Sequence, residues 1–350
     1  MTPTHNLDLV PGLAALRDQA MAASRDVTIA VLDGPVDRQH ACLREARLTI
    51  PDGIDPQSAE PGNRLALHGT HVTSVLFGQP GSDVEGICPA ARGVIIPVYQ
   101  ASTGRAPQLE IARAIEAALA AGADIINFSG GQYSDTGVPD SWLAAAVQRC
   151  AAQDVLLVAA AGNDGCECLH VPAAVGTALA VGAIDADGLP LDFTNWGDGY
   201  ACHGLAAPGQ DILGATPGGG TVQLSGTSFA TPIVSGVAAL LIALVRQRDG
   251  SERVGGPVRD ALLAGASPCR SDLPEVCQRL LTGTLDVAGA LAALGLGAPS
   301  GRGPAQGRTP RAMTVLSASG NGSTPAGALV ESSVGAVPLM ADAPDGGALV

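Results

Sequence analysis

Apolar runs of strand length alternate with longer runs of helical period along most of this chain. Residues 27–32, 93–98, 125–129, 155–161 and 178–183 read as strands. Residues 109–121 and 141–152 repeat apolar side chains at helical spacing, and 233–244 is one long apolar helical stretch. Further helices are expected near 258–263 and 285–294, and a short amphipathic helix over 6–22. The alternation predicts an α/β fold of three layers, a mostly parallel sheet with helices on both faces. In such sheets functional groups gather beyond the carboxyl ends of the strands.

Four short motifs sit where that rule would put them. Gly226-Thr227-Ser228-Phe229-Ala230-Thr231-Pro232 precedes the long apolar stretch, so Ser228 is expected at a helix N-terminus. Unpaired N–H groups and the positive end of the helix dipole favour negative charge there, as acyl transfer requires. A serine nucleophile needs a base and an acid that orients the base. Asp33 ends the first strand, and His68 opens His68-Gly69-Thr70-His71, where Gly69 allows close backbone approach. His71 rivals His68 as base, and Asp37 rivals Asp33, although Asp37 lies past the strand tip in a turn-like setting. Asn163 ends another apolar strand and carries an amide able to donate to an oxyanion.

The order Asp, His, Asn, Ser resembles that of the subtilases, over roughly residues 27–292. The resemblance implies a subtilisin-like three-layer fold and a catalytic triad of Asp33, His68 and Ser228. It gives Asn163 and the Ser228 backbone N–H the oxyanion, and prefers His68 over His71 as base. It also implies a substrate held as an added strand between two edges, here Gly104-Arg105-Ala106 and Ser129-Gly130-Gly131. Gly130 stands where subtilases often carry a bulky apolar residue, which predicts a wider subsite wall. Asp164 is a candidate for the wall of the first specificity pocket.

Asp33-Gly34-Pro35 departs from the usual subtilase opening. That string and Gly162-Asn163-Asp164-Gly165-Cys166-Glu167-Cys168-Leu169-His170-Val171-Pro172 resemble the cyanobactin maturation proteases, as do residues 77–82 and 193–198. The narrower resemblance implies a serine endopeptidase that removes the leader from a ribosomally made precursor peptide. Two alternatives use the same triad: a peptide macrocyclase and a general intracellular subtilisin. Macrocyclases of this kind carry an extra helical segment between the Asp and His motifs, and residues 34–67 are short and turn-rich. A binding-only pseudoprotease would lack a triad member, and each is present.

A net charge of −14 argues against nucleic acid or anionic membranes as partners and leaves a peptide or protein substrate. No cofactor or metal is expected. Cys166-Glu167-Cys168-Leu169-His170 invites a metal reading, but its spacing is tighter than that of structural zinc sites, which favours a disulfide or packed thiols. Cys269 and Cys277 flank a short polar loop and are the best disulfide candidates. The first residues lack a basic and apolar signal pattern and the first strand starts early, so a cytoplasmic enzyme without a long propeptide is expected. His40, His170 and His203 have no catalytic context and are read as packed or solvated. The expected domains are a helical lead-in (1–26), the peptidase domain (27–296) and a disordered low-complexity tail (297–350) rich in Ser, Gly, Pro and Ala.

Overall fold

Strand β1 (Thr28–Asp33) runs through the middle of the computed structural model, buried along its whole length. The structure describes residues 6–297 apart from 271 and 273, so the expected tail lies outside the described residues. The chain begins with helix α1 (Leu13–Ala20), then β1, β2 (Arg47–Thr49), α2 (Arg64–Phe77), β3 (Arg92–Pro97), α3 (Gln108–Ala120), β4 (Ile125–Phe128) and β5 (Gln132–Tyr133). It continues with α4 (Ser141–Ala152), β6 (Leu156–Ala160), β7 (His170–Val171), β8 (Leu179–Ile184), β9 (Gly204–Pro208), β10 (Ile212–Ala215) and β11 (Thr221–Leu224). Helices α5 (Thr227–Asp249), α6 (Gly255–Ala264), α7 (Pro274–Arg279) and α8 (Val287–Ala293) close it.

Among the described residues seven strands form one sheet in the order β2-β3-β1-β4-β6-β8-β9. Each neighbouring pair is parallel. Side chains along β1 alternate between two cores, as the period of two requires. Ile29 and Val31 pack on the side of α1, α2 and α5; Ala30 and Leu32 face α3 and α4. The predicted three-layer α/β fold is therefore the one observed.

Helix α5 is apolar all round and buried continuously from Thr227 to Val245. A helix of that kind belongs inside a protein or in a membrane. This one is long and apolar enough to cross a membrane, but its apolar window is wholly covered by the rest of the fold. Each fully buried Leu, Ile or Val contributes about 1.5–3 kcal/mol, so α5 is a main source of stability and a firm base for whatever stands at its N-terminus.

The lead-in folds differently from expectation. A continuous helix over 6–22 is broken at Pro11-Gly12, where Gly12 takes a left-handed φ of 82°, and α1 starts after it. Leu13, Leu16 and Ala20 are fully buried in the α5 core, so the lead-in packs as part of the main body. The sequence reading missed β2, β9, the two-residue pair β5–β7 and the β10–β11 hairpin.

Candidate active site

Asp33, Ser129 and Asn163 leave the carboxyl ends of β1, β4 and β6, three adjacent strands. Helix α2 brings His68 to the same edge. Asn63 caps α2, its Oδ1 accepting from the N–H groups of Leu65 and Ala66 at 3.0 and 3.3 Å. Two glycines then let α2 lie on the exit of β1. A Cβ on Gly69 would stand 2.4 Å from the Gly34 carbonyl oxygen, and one on Gly34 would stand 2.0 Å from the Leu65 oxygen. The close approach seats His68 on Asp33.

The Asp33 carboxylate is fully buried and His68 Nδ1 lies 2.7 Å from its Oδ1, which also accepts the Gly34 N–H at 2.6 Å. A carboxylate on Nδ1 fixes the ring tautomer and orientation. The His68 ring also lies 5.4 Å, centroid to centroid, from Phe229 on the first turn of α5. His68 is thus held between the end of β1 and the start of α5.

Ser228 is the second residue of α5 and is almost fully buried. Its Oγ donates to the Ser129 carbonyl at 3.2 Å. Pro232 lies four residues on and has no N–H for the Ser228 carbonyl, a loss that normally breaks a helix. Here Ser129 Oγ donates to that carbonyl at 2.7 Å. Asn127 Nδ2 donates to Ser129 Oγ at 3.1 Å, and Ser235 Oγ donates to Asn127 Oδ1 at 2.8 Å. These buried polar groups satisfy one another and tie β4 to α5 directly beneath Ser228.

Asn163 is bound to the same helix start. Its Oδ1 accepts from the Thr227 N–H at 2.9 Å and from Thr227 Oγ1 at 3.0 Å. With Oδ1 so engaged, the amide Nδ2 is the group left to donate. Asn195 clamps the approach to Asn163: its N–H donates to the Gly162 carbonyl at 2.9 Å, and its Nδ2 donates to the Ala161 carbonyl at 3.2 Å. An acid–histidine pair, a serine at a helix N-terminus and an oriented amide therefore share one strand edge.

The sequence matches the subtilase family over residues 24–297. The chain belongs to that family, the subtilisin-type serine endopeptidases. Subtilisin BL of Lederbergia lenta is 36% identical over 217 residues, 61% of this chain and 76% of that protein. M-protease of Shouchella clausii (strain KSM-K16) is also 36% identical, and there this chain covers about half (53%) of the relative's length. Among solved structures, the patellamide maturation protease PatA is 53% identical with a TM-score of 0.71, over 77% of this chain and 97% of that one. The prenylagaramide maturation protease PagA is 48% identical with a TM-score of 0.73, over 81% and 99%. The PatG macrocyclase domain is 32% identical with a TM-score of 0.75, over 83% and 98%.

The rival residues have other tasks in this subtilase. His71 is fully buried, its Nε2 2.9 Å from the Ile212 carbonyl oxygen, and burial pushes its pKa down to about 3. It packs on Phe229 and against Gly214. Asp37 caps turns, its carboxylate accepting from the N–H groups of Gln39 and Gly218 at 3.0 and 2.9 Å. His40 is packed between Cys42 Sγ and the Gly220 carbonyl, and His203 lies on the Ala173 carbonyl.

Two substrate-edge expectations need correction. The space beside Gly130 is not a widened wall, because the Tyr99 hydroxyl fills it: a Cβ on Gly130 would stand 2.1 Å from that oxygen. Gly104 and Arg105 are not free along the whole of the expected edge either. They close a turn in which Gln100 N–H donates to the Arg105 carbonyl at 2.9 Å and Gly104 N–H to the Gln100 carbonyl at 2.8 Å. The Gly104 N–H and the Arg105 carbonyl are spent within the turn. Ser129, at the start of the other expected edge, lies beside Ser228.

Cys269 and Cys277 form the expected disulfide, and Cys166 is joined to Cys168. His170 turns away from the sulfurs to Asp164, 2.7 Å from Nε2 to Oδ2. Cys42 and Cys150 are buried thiols whose pKa burial raises to about 12, so neither is a reactive thiolate. In the sequence His170 has no catalytic context. The structure places it against Gly131 and Gly162, close to the proposed oxyanion donor.

Proposed function

We propose that this subtilase cleaves the leader from a ribosomally made, cyanobactin-like precursor peptide through an acyl-enzyme on Ser228. The observation that carries the reading is the meeting of the Asp33–His68 pair, the Ser228 hydroxyl and the Asn163 amide at one sheet edge. Ser228 Oγ bonds to the scissile carbonyl carbon while His68 takes its proton. Asp33 stabilises the imidazolium that results. The carbonyl oxygen, now an oxyanion, accepts from Asn163 Nδ2 and the Ser228 backbone N–H. The C–N bond then breaks and His68 passes its proton to the leaving amine. Water adds by the reverse route and frees Ser228.

The substrate class is drawn from the likeness to PatA and PagA, at 48–53% identity over most of this chain. Cyclisation is the rival outcome, supported by the likeness to the PatG macrocyclase domain. A macrocyclase must keep water off the acyl group so that an amine attacks instead. Residues 34–63 carry only β2 and turns before α2 begins, with no helix to cover the leaving-group side. Water is present at ~55 M, so an uncovered acyl group hydrolyses unless an amine is held at a comparable effective molarity. This reading places enzyme and precursor together in the cytoplasm.

Mass spectrometry of a candidate precursor after incubation in ¹⁸O-water tests the reading. Heavy oxygen in the new C-terminus is expected. A dominant product lighter by one water, with no ¹⁸O, would make the chain a macrocyclase. Ser228→Ala should abolish labelling by a fluorophosphonate, and persistent labelling would overturn Ser228 as nucleophile.

A further inference from the structure

Asn195 takes no part in the chemistry above, yet it is bonded to each residue that flanks Asn163. It is fully buried in the segment between β8 and β9. Its Nδ2 donates to the Ala161 carbonyl at 3.2 Å and to Asp164 Oδ2 at 2.8 Å. Its Oδ1 accepts the Asp164 N–H at 2.8 Å, and its backbone N–H donates to the Gly162 carbonyl at 2.9 Å. Both donors of the amide and its oxygen are therefore used on this one turn. The neighbouring residues pair in the same way: Gly165 N–H donates to the Phe193 carbonyl at 2.8 Å, and Trp196 N–H to the Cys166 carbonyl at 3.2 Å. Thr194 Oγ1 ties the segment back to the sheet by accepting the Ala183 N–H at 3.0 Å.

The turn that carries Asn163 lies past the end of β6, and Gly162 takes a φ of 109° in it. A Cβ on Gly162 would stand 2.3 Å from Asn195 Nδ2, so the amide packs directly on the backbone of the turn. Asp164 keeps its charge for this contact, because His170, with Nε2 2.7 Å from Oδ2, is the chief cause that holds its carboxyl below the ordinary range. From the other side Thr227 grips the Asn163 side chain, its N–H and Oγ1 donating to Oδ1 at 2.9 and 3.0 Å. Thr227 fixes one end of the Asn163 amide, and Asn195 fixes the main chain from which that side chain springs. Together they set where Nδ2 points. An oxyanion donor works only within about 2.7–3.1 Å of the oxygen it serves, and a displacement of about 1 Å can cost a hundredfold in rate.

We propose that Asn195 is the positioning residue of the oxyanion site: it holds the main chain around Asn163 so that Nδ2 meets the oxygen of the tetrahedral intermediate. The proposal rests on the protease reading, with Ser228 as nucleophile and Asn163 as oxyanion donor.

The test uses the full chain and an internally quenched peptide that carries the bond cleaved in the precursor. Asn195→Ala and the milder Asn195→Ser are made alone and together with Asn163→Ala. In folded variants that still bind one fluorophosphonate per chain, the Asn195 substitutions alone should lower kcat about 10- to 100-fold and leave KM within about threefold. Added to Asn163→Ala, they should change kcat by less than about threefold, because a donor already removed cannot be misplaced. A residue that only supports the fold would lower kcat by the same factor in both backgrounds, and that result overturns the proposal. So does a kcat near wild type in a folded Asn195→Ala, or a fall larger than that of Asn163→Ala. If Asn195→Ala does not fold, Asn195→Ser decides; failure of both to fold makes Asn195 a structural residue and overturns the proposal as well. A wild type that neither cleaves peptide nor takes a fluorophosphonate label sinks the protease reading together with this proposal. An enzyme that is labelled, cleaves and is impaired by Asn163→Ala, yet is indifferent to Asn195, sinks this proposal alone.

Discussion

Ser129 and Ser228 exchange hydrogen bonds: Ser129 Oγ donates to the Ser228 carbonyl at 2.7 Å, and Ser228 Oγ donates to the Ser129 carbonyl at 3.2 Å. The first bond replaces the one that Pro232 cannot supply. Ser129→Ala should therefore leave a buried carbonyl unsatisfied and destabilise the protein by about 1–3 kcal/mol. Pro232→Ala restores an N–H four residues after Ser228. Added to Ser129→Ala, it should recover about 1 kcal/mol or more. Denaturant unfolding of the two single variants and the double variant measures this. Strict additivity would show that the carbonyl finds another donor.

Gly130 and Tyr99 are a second matched pair. A Cβ at residue 130 would stand 2.1 Å from the Tyr99 hydroxyl oxygen, and next nearest is Phe128 Cζ at 3.1 Å. Gly130→Ala should thus lower the melting temperature and peptidase activity. Tyr99→Phe removes the obstructing atom and sacrifices only a long 3.4 Å bond to the Ser129 carbonyl. In the Tyr99→Phe background Gly130→Ala should do much less harm. Equal damage in both backgrounds would mean that another contact requires glycine.

The parts of this molecule that sequence reveals are those encoded locally. The β1, β3, β4, β6 and β8 strands are apolar runs buried on both faces, and the α3 and α4 helices have a clean 3.6-residue period. Asp33, His68, Asn163 and Ser228 were legible because each stands in a distinctive string at a strand or helix end. Strand β9 was missed because Gly204-Leu205-Ala206-Ala207-Pro208 has no β-branched residue, and β5 and β7 because two residues carry no periodicity. The setting of His170 depends on Gly162 and on Gly131, and the fold brings Gly131 in from a distant part of the chain. The string Cys166-Glu167-Cys168-Leu169-His170 drew attention to the segment for its sulfurs, which bond to each other. Likewise Tyr99 lies 31 residues before Gly130, and only tertiary packing shows which of them fills the wall.

Asn163→Ala should lower kcat by about 10²–10³ with little change in KM, because its Nδ2 would bond the oxyanion and not the ground-state carbonyl. The same residue also anchors Thr227 through Oδ1. Asn163→Asp separates the two roles, since it keeps that acceptor and lacks the N–H donor. It should show a similar fall in kcat with the melting temperature retained. A kcat near wild type in both variants would mean that other donors hold the oxyanion.

His71 should make stability fall on mild acidification. Burial lowers its pKa from the ordinary 6.5 to about 3, so between those values the unfolded chain binds a proton that the folded chain refuses. The stabilisation is complete above pH 6.5 and is lost as pH drops toward 3, with a slope of at most about 1.4 kcal/mol per pH unit. His203, also held low chiefly by burial, acts in the same direction, so some slope should survive without His71. The Asp164 carboxyl, lowered mainly by His170, adds its loss only below the ordinary carboxylate range of 3.8. His71→Gln keeps an amide N–H for the Ile212 carbonyl and removes the titrating group. Urea midpoints at about pH 7, 5.5 and 4.5 should therefore decline less steeply in His71→Gln than in the wild type. Parallel declines would show that the acid sensitivity comes from other groups.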